Sequence, residues 1–290
     1  MALEKLSPCK VNLLLNILGK RPDGFHDLET VMYPVRIYDR LRFSIGGKGI
    51  QLKCNEPSLP TDSANLVYRA AASFLESAKI AEGVQLELEK SIPMAAGLGG
   101  GSANAATTLL GLNELFGSPL APARLHELAA SLGSDVPFFL HNKPALGTGR
   151  GEKIEPLEMF ACLNGCALLL IYPGFGIATA WAYQQLARFP EALNGRAGRA
   201  KQLISLLQSS DLKTAASQFY NSLEAPAFWK FPLLVLFQEF LRTNGAIATL
   251  MSGSGSTSFA LVQSQSAAET LAERFKVKFG DNNWIAVVPA

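Results

Sequence analysis

The chain has 290 residues, of which 48% are hydrophobic and 17% charged, and its formal net charge is +2. A chain of that length and apolar content buries a substantial core, as two modest domains or one large one, which excludes a disordered protein. The near balance of charge supplies no electrostatic basis for nucleic acid or an anionic membrane as the main partner.

The opening stretch MALEKLSPCKVNLLLNIL lacks the basic region, uninterrupted apolar core and small-residue cleavage site of a signal peptide. The apolar runs VNLLLNIL, ALLLIY and PLLVLF are too short to cross a bilayer, so a cytoplasmic protein with no membrane partner is expected. Cys9, Cys54, Cys162 and Cys166 are scattered, and His26, His126 and His141 are the only histidines. This set does not read as a zinc site, and the cysteines read as reduced, buried thiols.

In chain order, residues 3–54 are strand-rich. The runs LEKLSPCKVNLLLNIL, LETVMYPVRI, DRLRFSI and GIQLKC are apolar or alternating, with turn residues in RPDGFHD and GGKG, and the first two read as partners across the PDG turn. NLVYRAAASFLESAK has helical spacing, with Asp62 or Ser63 as its cap. The strand VQLELEK leads into PMAAGLGGGSANAATTL and a helix beginning near Ser102, and PARLHELAASLG forms a second helix ending at Gly133. A turn through Asp135 and Pro137 then leads into a strand FFL. If the two helices pack as a hairpin, Asp135 lies beside the glycine loop.

KPALGTGRGEKIEPL reads as a hairpin closing a first domain, 1–157, with a second at 158–290. The second part runs from strand ALLLIY to helix ATAWAYQQLA and then to PEALNGRAGRA, a mobile loop by composition. Three helical stretches follow, KQLISLLQS, DLKTAASQFYNSLE and FPLLVLFQEFLRTNG. The end reads as strand AIATLMS, turn GSGS, strand TSFALV, helix SAAETLAERFKVKFG and strand NWIAVV. Interleaved strands and helices predict an α+β fold of two domains.

The stretch from Pro93 to Leu109 carries the chemistry. Gly97, Gly99, Gly100 and Gly101 permit close backbone approach, and the following helix presents unpaired N–H groups and a positive dipole end. That combination suits a phosphate. It is neither a G-x-x-x-x-G-K-[ST] loop nor a G-x-G-x-x-G fingerprint, since Ser102 stands at the last position of the latter. A second glycine turn, SGSGS at 252–256, reads as a plain hairpin or as part of the same pocket. Lys10, within an apolar run, is a solvated lysine or a cation at a site; Asp135 is a turn former or a base. Paired, they suit phosphoryl transfer to an alcohol, a carboxylate accepting the hydroxyl proton and a cation steadying the alkoxide. Phe25 and His26 together offer a ring face and a donor or acceptor, which suits a planar base.

On these residues the chain resembles the GHMP family of small-molecule kinases. PMAAGLGGGSANAA is similar to the family's phosphate loop and LMSGSGSTSFAL to its carboxy-terminal glycine motif. SPCKVNLLLNILGKRPDGFHDLETV, LGSDVPFFL and YPGFGIATAWAY resemble the members that act on a cytidine-diphosphate methylerythritol; the likeness is weakest from Arg188 to Arg242. The resemblance implies a GHMP-kinase-like fold of two α+β domains, with the active site in the cleft between them. It implies transfer of the ATP γ-phosphate to the 2-hydroxyl of that small-molecule substrate, in the non-mevalonate route to isoprenoid precursors, by a monomer or homodimer.

By matched position, Lys10 and Asp135 are the catalytic pair. Pro93, Gly97, Leu98, Gly99, Gly100, Gly101 and Ser102 form the loop around the ATP phosphates, with Asn65, Lys90 and Asn104 near the nucleotide. Asn12 positions the sugar alcohol, Phe25 and Tyr183 sandwich the cytosine, and His26 reads its edge. Thr179, Gly253 and Gly255 fall on the substrate side. Mg²⁺ accompanies ATP, with Ser102 as a contributor and its other ligands unknown. Cys9 stands where alanine is more usual and Phe25 where tyrosine is common.

Two rival functions stay open: a kinase of the same family acting on homoserine or mevalonate, and a non-catalytic binding protein of that fold. The RPDGFH segment argues against the first, and retention of Lys10 and Asp135 against the second. The missing fingerprint excludes a dinucleotide-dependent oxidoreductase.

Overall fold

In the computed structural model, which describes residues 2–209 and 212–290, the chain forms two compact units that interleave along the sequence. One takes the stretch up to Cys9, Ile37–Ile92 and Gly99–Asn142; the other takes Lys10–Arg36, Pro93–Leu98 and Lys143–Ala290. Two long strands, β1 (Ala2–Lys20) and β2 (His26–Ile45), contribute to both. They are hydrogen-bonded neighbours, as expected. Every residue of β1 from Ser7 to Ile17 is buried, which is why its sequence shows no clean alternation.

The expected break between LETVMYPVRI and DRLRFSI is absent, because both belong to β2. Asp39, which resembles a turn signal, is completely buried instead. Its Oδ1 accepts from the N–H groups of Ser91 at 2.8 Å and Ile92 at 2.9 Å, and these bonds offset the desolvation of a carboxylate inside a strand.

The first unit continues with β3 (Ile50–Cys54), α1 (Leu66–Ala78), β4 (Val84–Glu89), α2 (Gly100–Leu115) and α3 (Pro122–Leu132). β3 pairs parallel with β4, and β4 pairs antiparallel with Arg40–Ile45 of β2. Asn65, not Asp62 or Ser63, caps α1, accepting from Val67 N–H at 2.9 Å. Gly99 in the left-handed conformation (φ 71°) opens α2 at Gly100, slightly ahead of Ser102. Gly111 makes room for β2: a Cβ there would stand 2.6 Å from the Phe43 ring. The expected strand FFL is a 3₁₀ helix, Pro137–Leu140. Pro137 cannot donate to a ladder, and Phe139 and His141 donate instead to Val136 and Phe138 carbonyls.

In the second unit, β5 (Ala145–Gly149) and β6 (Lys153–Pro156) form the expected hairpin, and β5 pairs with Leu28–Met32 of β2. β7 (Ala167–Tyr172), α4 (Thr179–Gln185), α5 (Pro190–Leu193), α6 (Arg199–Gln208), α7 (Leu212–Ala216), β8 (Tyr220–Asn221) and α8 (Glu224–Lys230) follow. The chain ends with α9 (Pro232–Thr243), β9 (Ala248–Met251), β10 (Ser258–Val262), α10 (Gln265–Phe279) and β11 (Trp284–Pro289). An antiparallel sheet in the order β11-β7-β10-β9 shares a core with α9 and α10. In that core Phe237 stands edge-on to Phe275 at 4.7 Å and to Phe279 at 4.8 Å.

Two expectations differ here. The helix read from DLKTAASQFYNSLE starts at Asp211, outside the described residues, and its remainder divides into α7, β8 and the start of α8. Tyr220 and Asn221 leave helical geometry to pair in parallel with Leu14 and Leu15 of β1. PEALNGRAGRA, expected as a mobile loop, contains α5 and the start of α6 and is bonded to β1 and β2. Asn16 Nδ2 donates to Arg196 O at 2.8 Å, and the Glu29 carboxylate accepts from Gly198 N–H at 3.1 Å and Ala200 N–H at 3.2 Å. Glu29 thereby serves as the anionic cap of α6.

Glu224 opens α8, and its Oε1 accepts from Met251 N–H at 2.8 Å and Gln238 Nε2 at 2.7 Å. The residue is half-buried, but its carboxyl is desolvated, which pushes its pKa from 4.5 up to about 7 against the pull of these bonds and of Arg242. A carboxyl that titrates higher when folded stabilises the fold fully below pH 4.5 and loses that contribution as pH rises through about 7. An amide oxygen keeps both hydrogen bonds without the charge. Glu224→Gln should therefore match the parent at acid pH and exceed it above neutrality by on the order of 3 kcal/mol. Denaturant titrations at the two extremes check this, and equal stabilities throughout would contradict it.

Candidate active site

In the second unit, period-two geometry sets Lys10 and Asn12 on one face of β1. Both are 3% exposed. The Lys10 Nζ donates to Asn12 Oδ1 at 2.5 Å and to Gly97 O at 3.3 Å. Asn12 Nδ2 in turn donates to Thr30 Oγ1 at 2.9 Å. Lys10 is thus not the solvated lysine that its residue type suggests, and its ammonium is held against the carbonyl of the glycine stretch.

That stretch is built into the same unit as far as Leu98. Lys10 N–H donates to Leu98 O at 3.0 Å, Thr257 N–H to Ala96 O at 3.1 Å, and Ser252 Oγ to Gly97 O at 2.9 Å. The backbones pack so closely that a Cβ on Gly97 (φ +80°) would lie 2.0 Å from Ser252 O. Only glycine meets both the angle and the space. The turn at 252–256 is therefore the backing of the glycine loop rather than a plain hairpin. A Cβ on Gly253 would stand 3.0 Å from Gly97 O and 3.3 Å from Lys10 Nζ, and one on Gly255 would meet Met251 Sδ at 2.6 Å. Asn221 holds this turn from below, its Nδ2 donating to Met251 O at 2.7 Å and Gly253 O at 2.8 Å.

In the first unit, the chain runs from Gly99 into α2, which opens with no side-chain cap; its leading N–H groups and dipole suit an anion. Ser102, in the first turn, is half-buried. Lys90 and Asn104 converge on Asp39: Lys90 Nζ pairs with Asp39 Oδ2 and donates to Asn104 Oδ1 at 3.1 Å. Asn104 Nδ2 donates to Asp39 Oδ2 and Ser7 Oγ, each at 2.9 Å. A Cβ on Gly100 would approach Lys90 Nζ to 3.2 Å. Asn65 is engaged at both ends, capping α1 and donating to Pro60 O at 2.7 Å. Asp135 is half-buried in the turn between α3 and the 3₁₀ helix that packs on α2.

The ring-bearing residues lie in the second unit. His26 faces Tyr183 with ring centroids 5.0 Å apart. Phe25 is 52% exposed, and the Arg150 guanidinium stands 4.7 Å from its ring centroid. Burial, with Lys20 nearby, lowers the His26 pKa below its ordinary value. Thr179 joins the glycine turn through a 2.9 Å hydrogen bond between its Oγ1 and Ser254 Oγ.

Sequence reasoning passed over Thr30, Asp39, Ser252 and Asn221. For Asp39 a signal existed, a lone carboxylate inside an alternating strand; for Asn221 there was none, since it lies where the family resemblance is weakest. All four act on other protein groups, through partners distant in sequence.

Comparisons with known proteins bear on the family and the fold. The family model for the GHMP kinases N terminal domain matches residues 65–143, and that for GHMP kinases C terminal matches 189–282. The 4-diphosphocytidyl-2-C-methyl-D-erythritol kinase of Acaryochloris marina is 39% identical over 95% of this chain and 92% of its own length. The protein of the same name from Geobacter sp. strain M21 is 38% identical over 98% and 97%. A crystal structure of 4-(cytidine 5'-diphospho)-2C-methyl-D-erythritol kinase covers 99% of this chain and 100% of its own, with 35% identity and a TM-score of 0.81. A homoserine kinase from Cytophaga hutchinsonii, 20% identical with a TM-score of 0.77, shares the fold. Relatives this similar over nearly the whole chain establish that it belongs to the GHMP kinase family, among the 4-diphosphocytidyl-2-C-methyl-D-erythritol kinases.

Proposed function

We propose that this chain transfers the γ-phosphate of ATP to the 2-hydroxyl of 4-diphosphocytidyl-2-C-methyl-D-erythritol. The observation that carries the chemistry is the buried Lys10 ammonium, held by Asn12 Oδ1 and Gly97 O at the glycine loop. The substrate assignment is supported by the names of relatives that match along almost the whole length.

In this mechanism the backbone of Gly97 to Ser102 takes the ATP phosphates. The substrate hydroxyl oxygen bonds to the γ-phosphorus as the bond to the β–γ bridging oxygen breaks, and ADP leaves. Asp135 accepts the hydroxyl proton, Lys10 steadies negative charge on the reacting oxygens, and Asn12 orients the alcohol. The cytosine stacks on Phe25 and Tyr183. Neutral His26 offers one acceptor and one donor nitrogen to the base edge. Thr179 and the Gly253–Gly255 turn border the substrate. Lys90, Asn104 and Asn65 shape the nucleotide side through Asp39 and the cap of α1.

Among the described residues, no group of three or more His, Cys, Asp or Glu is placed to hold a metal. The Ser102 hydroxyl, in the first turn of α2, would be the protein oxygen offered to an Mg²⁺ carried by ATP, an ion that needs only one or two such ligands. When bound, the ion neutralises the phosphate oxygens. No helix among the described residues is long and apolar enough to cross a membrane, and a cytoplasmic site of action accords with this small, polar substrate.

The assay is ADP release with ATP, Mg²⁺ and the cytidine substrate beside homoserine and mevalonate. Turnover is expected with the first alone. Asp135→Asn should lower kcat by about 10² to 10⁴ while leaving the KM for ATP close to the parent value; near-normal turnover would remove Asp135 from the mechanism. Gly97→Ala should raise the KM for ATP and lower Tm together, since the added methyl meets Ser252 O, and an unchanged variant on both measures would sink the loop assignment. Because His26 titrates below its ordinary range, substrate KM should stay flat near neutral pH and rise on acidification, as protonation removes the acceptor nitrogen. His26→Asn should abolish that rise, and a rise that persists would assign the dependence to another group.

A further inference from the structure

We propose that Thr30 is a positioning residue for phosphoryl transfer: its hydroxyl decides which end of the Asn12 amide faces Lys10. The inference rests on the kinase mechanism above but concerns a residue that contacts neither substrate in it. An asparagine amide has an accepting end and a donating end, and only the accepting end can hold an ammonium. Thr30 Oγ1 donates its one proton to Leu14 O at 2.6 Å. What remains on that oxygen is acceptor capacity, and Asn12 Nδ2 donates into it at 2.9 Å. The amide orientation is then determined, and Oδ1 meets Lys10 Nζ at 2.5 Å.

The polarity therefore runs outward from a backbone carbonyl that cannot reverse. Lys10, Asn12 and Thr30 are each 3% exposed, so water does not compete to satisfy a flipped amide. A flip would set N–H groups against the ammonium and displace it from Gly97 O.

Thr30 also has a packing role, and the two roles reside on different atoms. Its Cγ2 stands 2.8 Å from where a Cβ of Gly147 would be, so the methyl fills the space left by that glycine. Thr30→Val keeps a methyl for packing and removes the hydroxyl. Thr30→Ser does the reverse.

Steady-state kinetics with ATP and the cytidine substrate should show kcat falling by up to about 100-fold in Thr30→Val, as for a misplaced catalytic group, with the KM for ATP near the parent value. Thr30→Ser should retain most of the parent's kcat although it loses more packing. In an Asn12→Asp background, where both ends of the side chain accept, adding Thr30→Val should cost far less than it does alone. Thr30→Val turning over like the parent, Thr30→Ser losing as much as Thr30→Val, or a full Thr30→Val loss persisting in the Asn12→Asp background would each overturn the proposal.

Heteronuclear NMR of the labelled Lys10 ammonium gives a readout without substrate. Its protected signal should persist in Thr30→Ser and vanish in Thr30→Val. If the parent does not turn over the cytidine substrate, the functional reading fails while this signal still decides the role of Thr30. Should Thr30→Val not fold, Thr30→Ser decides it: a folded Thr30→Ser without the protected signal refutes the relay.

Discussion

Burying an ammonium group is tolerable only when its protons are met by acceptors, and the second unit is arranged around that requirement at Lys10. The strand that carries Lys10 also carries Asn12, one of its acceptors. A further one, Gly97 O, belongs to a loop pinned by Lys10's own N–H, by Ser252 and by Thr257. The first unit contains a second lysine whose side chain is largely covered. Lys90 is paired with the fully buried Asp39, which also takes backbone N–H groups at Ser91 and Ile92, just before the glycine stretch begins. Lys90 thus reinforces the entry to the loop.

At three of the glycines the space that a side chain would need is already taken. At Gly97 a side chain would collide with Ser252 O, at Gly111 with Phe43, and at Gly253 it would crowd both Gly97 O and Lys10. Two glycine-rich turns far apart in sequence therefore act as one packed pair of backbones. That packing gives the glycines of the carboxy-terminal motif a structural role. Its hydroxyls serve the same end, through Ser252 to Gly97 O and Ser254 to Thr179.

Several polar residues near the site are occupied by the fold itself. Asn65 caps α1, Asn104 bridges Asp39 and Ser7, and Glu29 caps α6 while accepting from Asn16 Nδ2 at 2.9 Å. Such groups influence chemistry by fixing where others stand. The segment around Asn194, mobile by its composition of small and polar residues, is held by this kind of bond, through Asn16 and Glu29.

Much of the fold was legible from local pattern. The hairpin of β5 and β6, helices α1 to α4, α6, α9 and α10, and the antiparallel strands at the end of the chain follow from periodicity, caps and turn residues, because those signals act between near neighbours. The glycine loop, Lys10 and Asp135 were legible through the order of motifs along the chain, and that order also identified the family. Two failures were decided by partners far away: Asp39 reads as a break until Ser91 and Ile92 satisfy it, and Tyr220 and Asn221 read as helix until β1 offers an edge. A third was local, since Pro137 itself turned an apolar run into a 3₁₀ helix. The sequence alone determined the fold class and the family, and it offered the glycine loop, Lys10 and Asp135 as candidates for the site. Only tertiary structure decided that Lys10 is buried, that Thr30 orients its partner and that the second glycine turn backs the first, because hydrogen-bond direction and van der Waals contact exist only between groups already brought together in space.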